Sequence, residues 1–207
     1  RVQMSFGADG EPLMDKGSTV FLITATLKNV YRTSFQPAML IAHVEKAGAN
    51  DAADRLNFAM DDRAKDESHA AERGNTYYLR MQLEAGQYNI VGFTSHARSF
   101  PISALFFTPL HASIESKEPG VYCLGHVAAT VRERQGNEFK AGPSIPLVDQ
   151  AIAGASGGTF DVEVLDRFAE DERAFRFKFR ALEGVEIKKV LLPPFNRVAA
   201  QRWWQEN

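Results

Sequence analysis

The sequence predicts a mainly β protein: an antiparallel, immunoglobulin-like sandwich of roughly seven to nine strands, followed by a C-terminal helix and an extended tail. Two observations lead to this fold class. Short segments with the period-two or continuous apolar pattern of strands recur along the first 165 residues. Turns separate them, without intervening helices of about 10 to 15 residues, which favours antiparallel sheets over βαβ units. We therefore expect a sandwich domain over residues 1–165, on which residues 166–207 pack as a helix and tail.

Eight segments carry a strand pattern. Residues 18–27 (STVFLITATL) are apolar on both faces, as in a central strand that is covered on each side. Residues 76–83 (TYYLRMQL) alternate, and 87–94 (QYNIVGFT) resume the alternation after a short turn, which predicts a hairpin. The remaining predicted strands are 37–45, 55–60, 102–107, 120–134 and 158–165.

Two long segments interrupt the strands. Residues 61–74 (DDRAKDESHAAERG) are polar and strongly charged, which predicts an exposed loop or a short surface helix. Residues 141–158 combine Pro, Gly and small side chains, and we expect them to form an ordered connection or a lid between the sheet and the C-terminal part.

The stretch AFRFKFRAL (174–182) fits either a half-buried strand, because three phenylalanines alternate with three cations, or the end of an amphipathic helix. The flanking residues favour the helix. Asp166 can cap its start, acids follow in the first turns, and Gly184 stands where a helix C-cap is expected. We predict a helix over about 167–182, in which Phe177 lies off the apolar stripe. That stripe comprises Phe168, Phe175, Phe179 and Leu182.

Composition limits the function classes. The 207 residues include 24 Lys and Arg residues against 26 Asp and Glu residues, a formal net charge of −2 that gives no general attraction to nucleic acid or anionic lipid. No apolar run approaches the roughly 20 residues that span a bilayer. The chain opens at Arg1 without a methionine, so we expect a mature or trimmed form from which any targeting segment has been removed.

One motif suggests catalysis. GASGG (154–158) matches G-x-S-x-G and places Ser156 at the nucleophile position, where His126 or His111 would act as the base. The motif requires a strand-to-helix turn, whereas this stretch precedes a predicted strand. A turn of small residues is the simpler interpretation, and we expect a protein that is not an enzyme.

Metal and cofactor signatures are weak. The acids of 61–74 lack the spacing of a calcium loop, and Arg63 and Lys65 lie among them. The histidines are scattered singly. Cys123 and His126 are close in sequence, but on a regular strand they point to opposite faces, which weakens them as zinc ligands. We expect no metal and no cofactor.

Two regions are the best candidates for binding a partner. The first is the tail, where Trp203 and Trp204 are adjacent, so that one can pack back while the other meets a partner. The alternative is that both hold the tail on the domain. The second is the charged loop, in which we single out Asp61, Asp62 and Asp66.

Three stretches carry a resemblance to a known group. They are YYLRMQLEAGQYNIVGF (77–93), GVYCLGHVAATVRER (120–134) and VLDRFAEDERAFRFKFRALEG (164–184). In their strand–turn–strand pattern, turn-initiated strand and closing helix they resemble small periplasmic lipoproteins of bacterial envelopes, although Ala85-Gly86 replaces the usual Pro-Gly. The resemblance implies a sandwich on the periplasmic side, periplasmic or anchored to the outer membrane, with any membrane tether being an N-terminal lipid absent from this chain.

These patterns together lead to a functional expectation. We expect a non-enzymatic bacterial envelope protein that serves as a binding or accessory module for another envelope protein. Two alternatives stay open: a serine hydrolase that uses Ser156, and a carrier of a small apolar ligand in a cavity lined by phenylalanine.

Overall fold

A computed structural model of the chain describes residues 1–7, 18–143 and 147–207. Over these residues the protein consists of two β-sheets, with three α-helices between and after the later strands. The strands are β1 (Val2–Gln3), β2 (Thr19–Asn29), β3 (Ala38–Lys46), β4 (Arg55–Ala59), β5 (Lys65–Glu67), β6 (Asn75–Leu83), β7 (Gly86–Ser99), β8 (Ile102–Ser116), β9 (Gly120–Glu133), β10 (Gly158–Leu165) and β11 (Ile187–Lys189), and the helices are α1 (Val148–Ile152), α2 (Phe168–Lys178) and α3 (Arg197–Glu206).

The strand order confirms a mainly β protein with two sheets. The first sheet has the order β1-β4-β3-β7-β8, and the second has the order β10-β9-β2-β6-β5, with β11 also paired to β9. The prediction of purely antiparallel sheets is wrong, because β2 and β9 run parallel in the centre of the second sheet, and β1–β4 and β11–β9 are parallel as well. Strands that are parallel cannot be joined by a tight turn, and β2 is separated from β9 in the chain by the six strands β3 to β8.

The main core lies between the sheets. Each sheet turns its alternate side chains inward, and these residues are almost fully buried. The tail contributes Leu192 and Ala200 to the same core. The residues that fill the centre include Phe21, Ile23 and Leu79 from the second sheet and Phe58, Ile90 and Phe93 from the first.

A second, smaller core lies on the outer face of the second sheet, beneath α2. The predicted helix is confirmed, although it ends at Lys178 and continues after Phe179 as a single 3₁₀ turn. The N-cap residue is Arg167 rather than the predicted Asp166, which lies one residue earlier and accepts a hydrogen bond from the backbone N–H of Phe168 (3.2 Å). Phe177 is 92% exposed. The predicted stripe Phe168, Phe175, Phe179 and Leu182 packs on β2 and β9.

A bulge in β9 changes which residues share a face. Leu22 of β2 pairs with Cys123, but Thr24 pairs with His126, so that two residues of β9 lie opposite one residue of β2. Gly125, within the bulge, has a φ of 102°, a conformation that favours glycine. Cys123 and His126 therefore both face α2, and the expectation of opposite faces is wrong because it assumed an unbroken alternation.

The two interrupting segments are partly ordered. Residues 61–74 contain a 3₁₀ turn at Asp62–Ala64 and the short strand β5, rather than a plain loop. The connection over 141–158 contains α1, and its residues 144–146 lie outside the described residues. The buried side chain of Gln150 in α1 bonds both the N–H (2.6 Å) and the C=O (3.0 Å) of Leu105, so α1 covers the edge of β8.

The tail is not extended as predicted. After Pro193-Pro194 it forms α3, which begins at a capping residue: Asn196 Oδ1 accepts a hydrogen bond from the N–H of Ala199 (2.9 Å). Ala200 then points into the core between the sheets. The tail is therefore a structural part of the sandwich.

Candidate binding site

Helix α3 closes the side of the sandwich where β8 and β10 are the edge strands of the two sheets. The two edges approach each other through an edge-to-face contact of Phe106 and Phe160, with 6.3 Å between ring centroids. Arg197 donates a hydrogen bond to the carbonyl of Phe160 (2.8 Å), which ties the start of α3 to β10. Gln201 bonds the backbone of Phe139 (2.6 Å), which ties α3 to the segment after β9.

A pocket of about 430 Å³ lies between α3, β8 and residues 139–143. Its walls are mainly apolar, and most of the large side chains on them are aromatic. Thr94, Lys140 and Asn207 contribute polar groups at its edges. The apolar walls include Leu105, Phe106, Phe107, Phe139, Trp203 and Trp204.

Trp203 forms one wall by stacking. Its ring lies nearly parallel to that of Phe107, at an interplanar angle of 26° and a centroid distance of 5.2 Å. It also contacts the ring of His111 at 5.0 Å. Phe107 belongs to the outward-facing residues of β8, so α3 lays Trp203 over the outer side of this edge strand. The pocket thus has a flat aromatic wall fixed by two neighbouring rings.

Trp204 forms a second wall and packs against the main core. The guanidinium of Arg134 lies 5.7 Å from the centre of its ring. Both tryptophans are half-buried. They therefore do not divide into one residue that packs on the domain and one that is exposed for a partner, and they do more than hold the tail in place. They hold the tail on the domain and at the same time line a common pocket.

The proposed catalytic residues are not brought together. β10 pairs with β9 so that Gly158 lies opposite Glu133 and Leu165 lies opposite His126. Gly158, two residues after Ser156, is therefore about 23 Å from His126 along the sheet, at ~3.3 Å per residue, and Ser156 lies beyond that end of β10. Among the described residues no hydrogen bond joins the hydroxyl of Ser156 to His111 either.

His126 belongs instead to a buried polar cluster beneath α2. Its Nδ1 lies 2.8 Å from the hydroxyl of Thr24, which donates a hydrogen bond to Oδ1 of Asp171 (2.9 Å). All three residues are almost fully buried. Burial lowers the pKa of His126 to about 4 and raises the pKa of Asp171. These groups resemble a catalytic set in composition, but the helix shuts them off from substrate.

His111 is half-buried, and Cys123 is almost fully buried. Burial lowers the pKa of His111, so its imidazole is neutral at pH 7. Burial raises the pKa of the Cys123 thiol to about 11, which makes a thiolate nucleophile unfavourable at neutral pH.

The three aspartates of the charged loop have different surroundings. Asp61 caps the start of the 3₁₀ turn Asp62–Ala64 by accepting a hydrogen bond from the backbone N–H of Ala64. It also forms an ion pair with Arg80, whose side chain is fully buried. Asp62 lies 3.8 Å from Lys65, and its side chain is exposed. Asp66 is exposed on β5. Asp61 therefore has a structural partner, while Asp62 and Asp66 are free to meet solvent.

The pocket contains residues that sequence reasoning did not single out. Phe107 was assigned to a strand that ended at that residue, whereas β8 continues to Ser116. Phe139 and Lys140 follow β9 in a segment without a periodic pattern. One sequence signal could have identified part of the site. Asn196 is a residue type that commonly caps helices, and the mixed apolar and polar residues after it are typical of a helix, which would have placed both tryptophans on α3.

The fold and the pocket define a class: a two-sheet, mainly β protein with an aromatic pocket at the edge of its sandwich. Comparison with protein-family models, curated proteins and solved structures finds no match. No helix of the described residues is long and apolar enough to cross a membrane. Within the same residues, no three His, Cys, Asp or Glu side chains are grouped as metal ligands.

Proposed function

We propose that this protein is a non-enzymatic binding protein that holds a small apolar ligand in the pocket beneath α3. The observation that carries the proposal is the pocket itself, whose volume of about 430 Å³ falls in the range of roughly 300 to 1,000 Å³ typical of small-molecule sites. This proposal develops the carrier alternative, with the cavity at the edge of the sandwich rather than between the sheets.

The chemistry of the walls supports an apolar ligand. Aromatic rings bury large areas on binding, and Trp203 and Phe107 are already held in place by their mutual stacking. A ligand therefore meets a wall whose side chains have lost their rotamer freedom before binding, which lowers the entropic cost of association. Thr94 and Lys140 at the edges offer polar contacts that orient a ligand.

A neutral apolar fluorophore, N-phenylnaphthylamine, tests the proposal directly. Its fluorescence should rise on titration with the wild-type protein and saturate at one molecule per chain. Trp203→Ala should weaken binding about tenfold, because losing one aromatic wall costs on the order of 1.4 kcal/mol. Circular dichroism melting of the variant establishes that α3 and the sandwich remain folded.

Phe177→Ala is the matched control, because it removes an aromatic ring that is exposed on α2, on the other side of the second sheet. This variant should bind the probe as the wild type does. Equal losses in the two variants, or a wild-type protein that does not take up the probe, would contradict the proposal.

A second candidate function is the docking of an envelope protein partner, which the resemblance implies. An exposed apolar patch favours it: Phe100 at the β7–β8 turn is fully exposed, and Leu147, Val148 and Ile152 around α1 are exposed as well. Ser103, just after this turn, donates a backbone hydrogen bond to Asp149 of α1 (3.1 Å), so the turn and the helix are neighbours.

The patch and the pocket can be distinguished by substitution. If the patch docks a partner, a Phe100→Ser, Val148→Ser double variant should lose a partner that co-purifies from a solubilised envelope fraction, while Trp203→Ala retains it. Phe177→Ser serves as the control for removing an exposed aromatic residue. Retention of the partner by the double variant would exclude the patch.

The cellular setting completes the proposal. The resemblance to periplasmic lipoproteins suggests a place in the bacterial envelope, and fractionation of the source cells tests it.

We also propose that the sandwich is a variant of the immunoglobulin-like arrangement, supported by its two facing sheets and their antiparallel ladders. An experimental structure that placed the strands in an unrelated topology would overturn this.

A further inference from the structure

We infer that the ligand of the α3 pocket is an amphiphilic carboxylate, with an apolar body between the aromatic walls and its carboxylate beside Lys140. The inference rests on the proposed function, because it names the chemical class of the ligand of that same pocket. It is carried by the charges around the pocket rather than by its apolar walls.

Lys140 is the ionisable cation among the described lining residues. It is half-buried between Phe139 and Ala141, which are both buried. Its ammonium forms no ion pair and no hydrogen bond with any residue that the structure describes. A half-buried ammonium without a protein acceptor has most to gain from an anionic ligand, since lysine carries three donors and no acceptor.

The carboxylate closest along the chain is already engaged elsewhere. Glu138 accepts hydrogen bonds from Arg132 (2.7 and 2.8 Å) and from Arg197 (2.9 Å), and the Arg132 guanidinium holds the pKa of that carboxyl down, at about 2. Its charge is therefore neutralised by two arginines. It does not compete with a ligand for Lys140.

A second cation reinforces the positive field. The guanidinium of Arg134 lies over the ring of Trp204, one of the pocket walls. The described lining residues include no Asp or Glu side chain. Because Lys140 and Arg134 are both cationic, they favour an anionic ligand over a cationic amphiphile.

The neighbouring histidine does not alter this balance at neutral pH. His111 contacts Trp203, and its pKa is lowered because it is desolvated by burial, so it carries no charge at pH 7. The selectivity for an anion thus depends on Lys140 and Arg134. Of these, Lys140 lines the pocket directly.

The two tryptophans provide the readout. They are the only two in the chain, and both line the pocket, so intrinsic fluorescence reports its occupancy with no other tryptophan contributing. The protein is titrated with two matched pairs, phenylbutyrate against phenylbutanol and octanoate against octanol. Within each pair the apolar body is the same and only the carboxylate differs. The carboxylate of at least one pair should bind about tenfold more tightly than its alcohol at low ionic strength.

Lys140→Met removes the charge and keeps the length of the side chain. In this variant the carboxylate should lose about tenfold in affinity, whereas the alcohol should bind as before. Lys117→Met is the matched control, because Lys117 is an exposed lysine at the β8–β9 turn, where it pairs with Glu115 (3.0 Å). It should retain the full preference for the carboxylate.

The outcomes separate the two proposals. Equal binding of acid and alcohol by the wild type would overturn the carboxylate inference and leave the apolar pocket standing. A preference that survives in Lys140→Met would overturn the role of Lys140. Failure of all four compounds and of the neutral fluorophore would overturn both the inference and the proposed function.

Discussion

His126 should make the protein lose stability as the pH falls from neutral to about 4. Its side chain is 3% exposed, and burial, with a smaller effect of Arg167, lowers its pKa from an ordinary 6.5 to about 4. Between these values the unfolded chain binds a proton that the folded chain does not, so the free energy of unfolding falls as the pH falls. The loss amounts to ~3 kcal/mol and is complete below the folded pKa.

The assay is a series of urea unfolding curves at pH values across this range, for the wild type and for His126→Asn. Asparagine leaves a polar atom within reach of Thr24 but does not titrate. Its smaller volume lowers the free energy of unfolding by an amount that does not depend on pH, so the profiles are compared by their slopes. The wild type should lose ~3 kcal/mol more than the variant.

Asp171, which shares the hydroxyl of Thr24, acts in the opposite direction. Burial raises its pKa, so its contribution to stability declines as the pH rises above 3.8. Both proteins contain Asp171, and its effect largely cancels in the comparison. Parallel profiles for the wild type and His126→Asn would refute the reasoning, because the folded chain would then bind the proton as readily as the unfolded chain.

Three further predictions concern packing and reactivity. Phe175→Ala should cost about 3 to 5 kcal/mol by opening a cavity under α2, whereas Phe177→Ala, exposed on the same helix, should stay within about 0.5 kcal/mol; urea unfolding that gave equal losses would contradict this. Asp61→Asn should cost about 2 kcal/mol by weakening an ion pair to a fully buried arginine, and Asp62→Asn, with its exposed carboxylate, is the control that should have no measurable effect. Cys123 should resist a thiol reagent until the chain is unfolded, because it is buried and its pKa is raised to about 11; rapid labelling of the folded protein would count against that.

Much of the secondary structure could be predicted from local patterns. Strand alternation located eight segments that correspond to strands of the structure, because side chains on a strand alternate between faces whatever the strand pairs with. The helix over AFRFKFRAL was predictable for a related reason. The residues at its two ends and the spacing of its apolar side chains both indicate a helix. Phe177 lies outside the apolar stripe, and the structure leaves it exposed.

Only part of the candidate binding site could be predicted from the sequence. The sequence drew attention to Trp203 and Trp204 because two adjacent side chains of a helix cannot both face the same core, which leaves one of them available for binding. It did not identify Phe107, Phe139 or Lys140, which lie far from the tryptophans in the chain. A pocket consists of side chains that meet only after the edges of two sheets and a helix have docked, and no local spacing records that meeting.

The sequence by itself determined most of the segments that become strands, where α2 begins, and which of its phenylalanines pack on the sheet. Only the tertiary structure decided that β2 and β9 lie side by side in parallel, that the bulge at Gly125 turns His126 toward α2, and that Ser156 stands at the far end of β10 from it. The physical reason is the range of the interactions. Periodicity and capping depend on neighbours within a few residues, whereas register and docking depend on contacts between distant segments whose energies become available only when the whole core is packed.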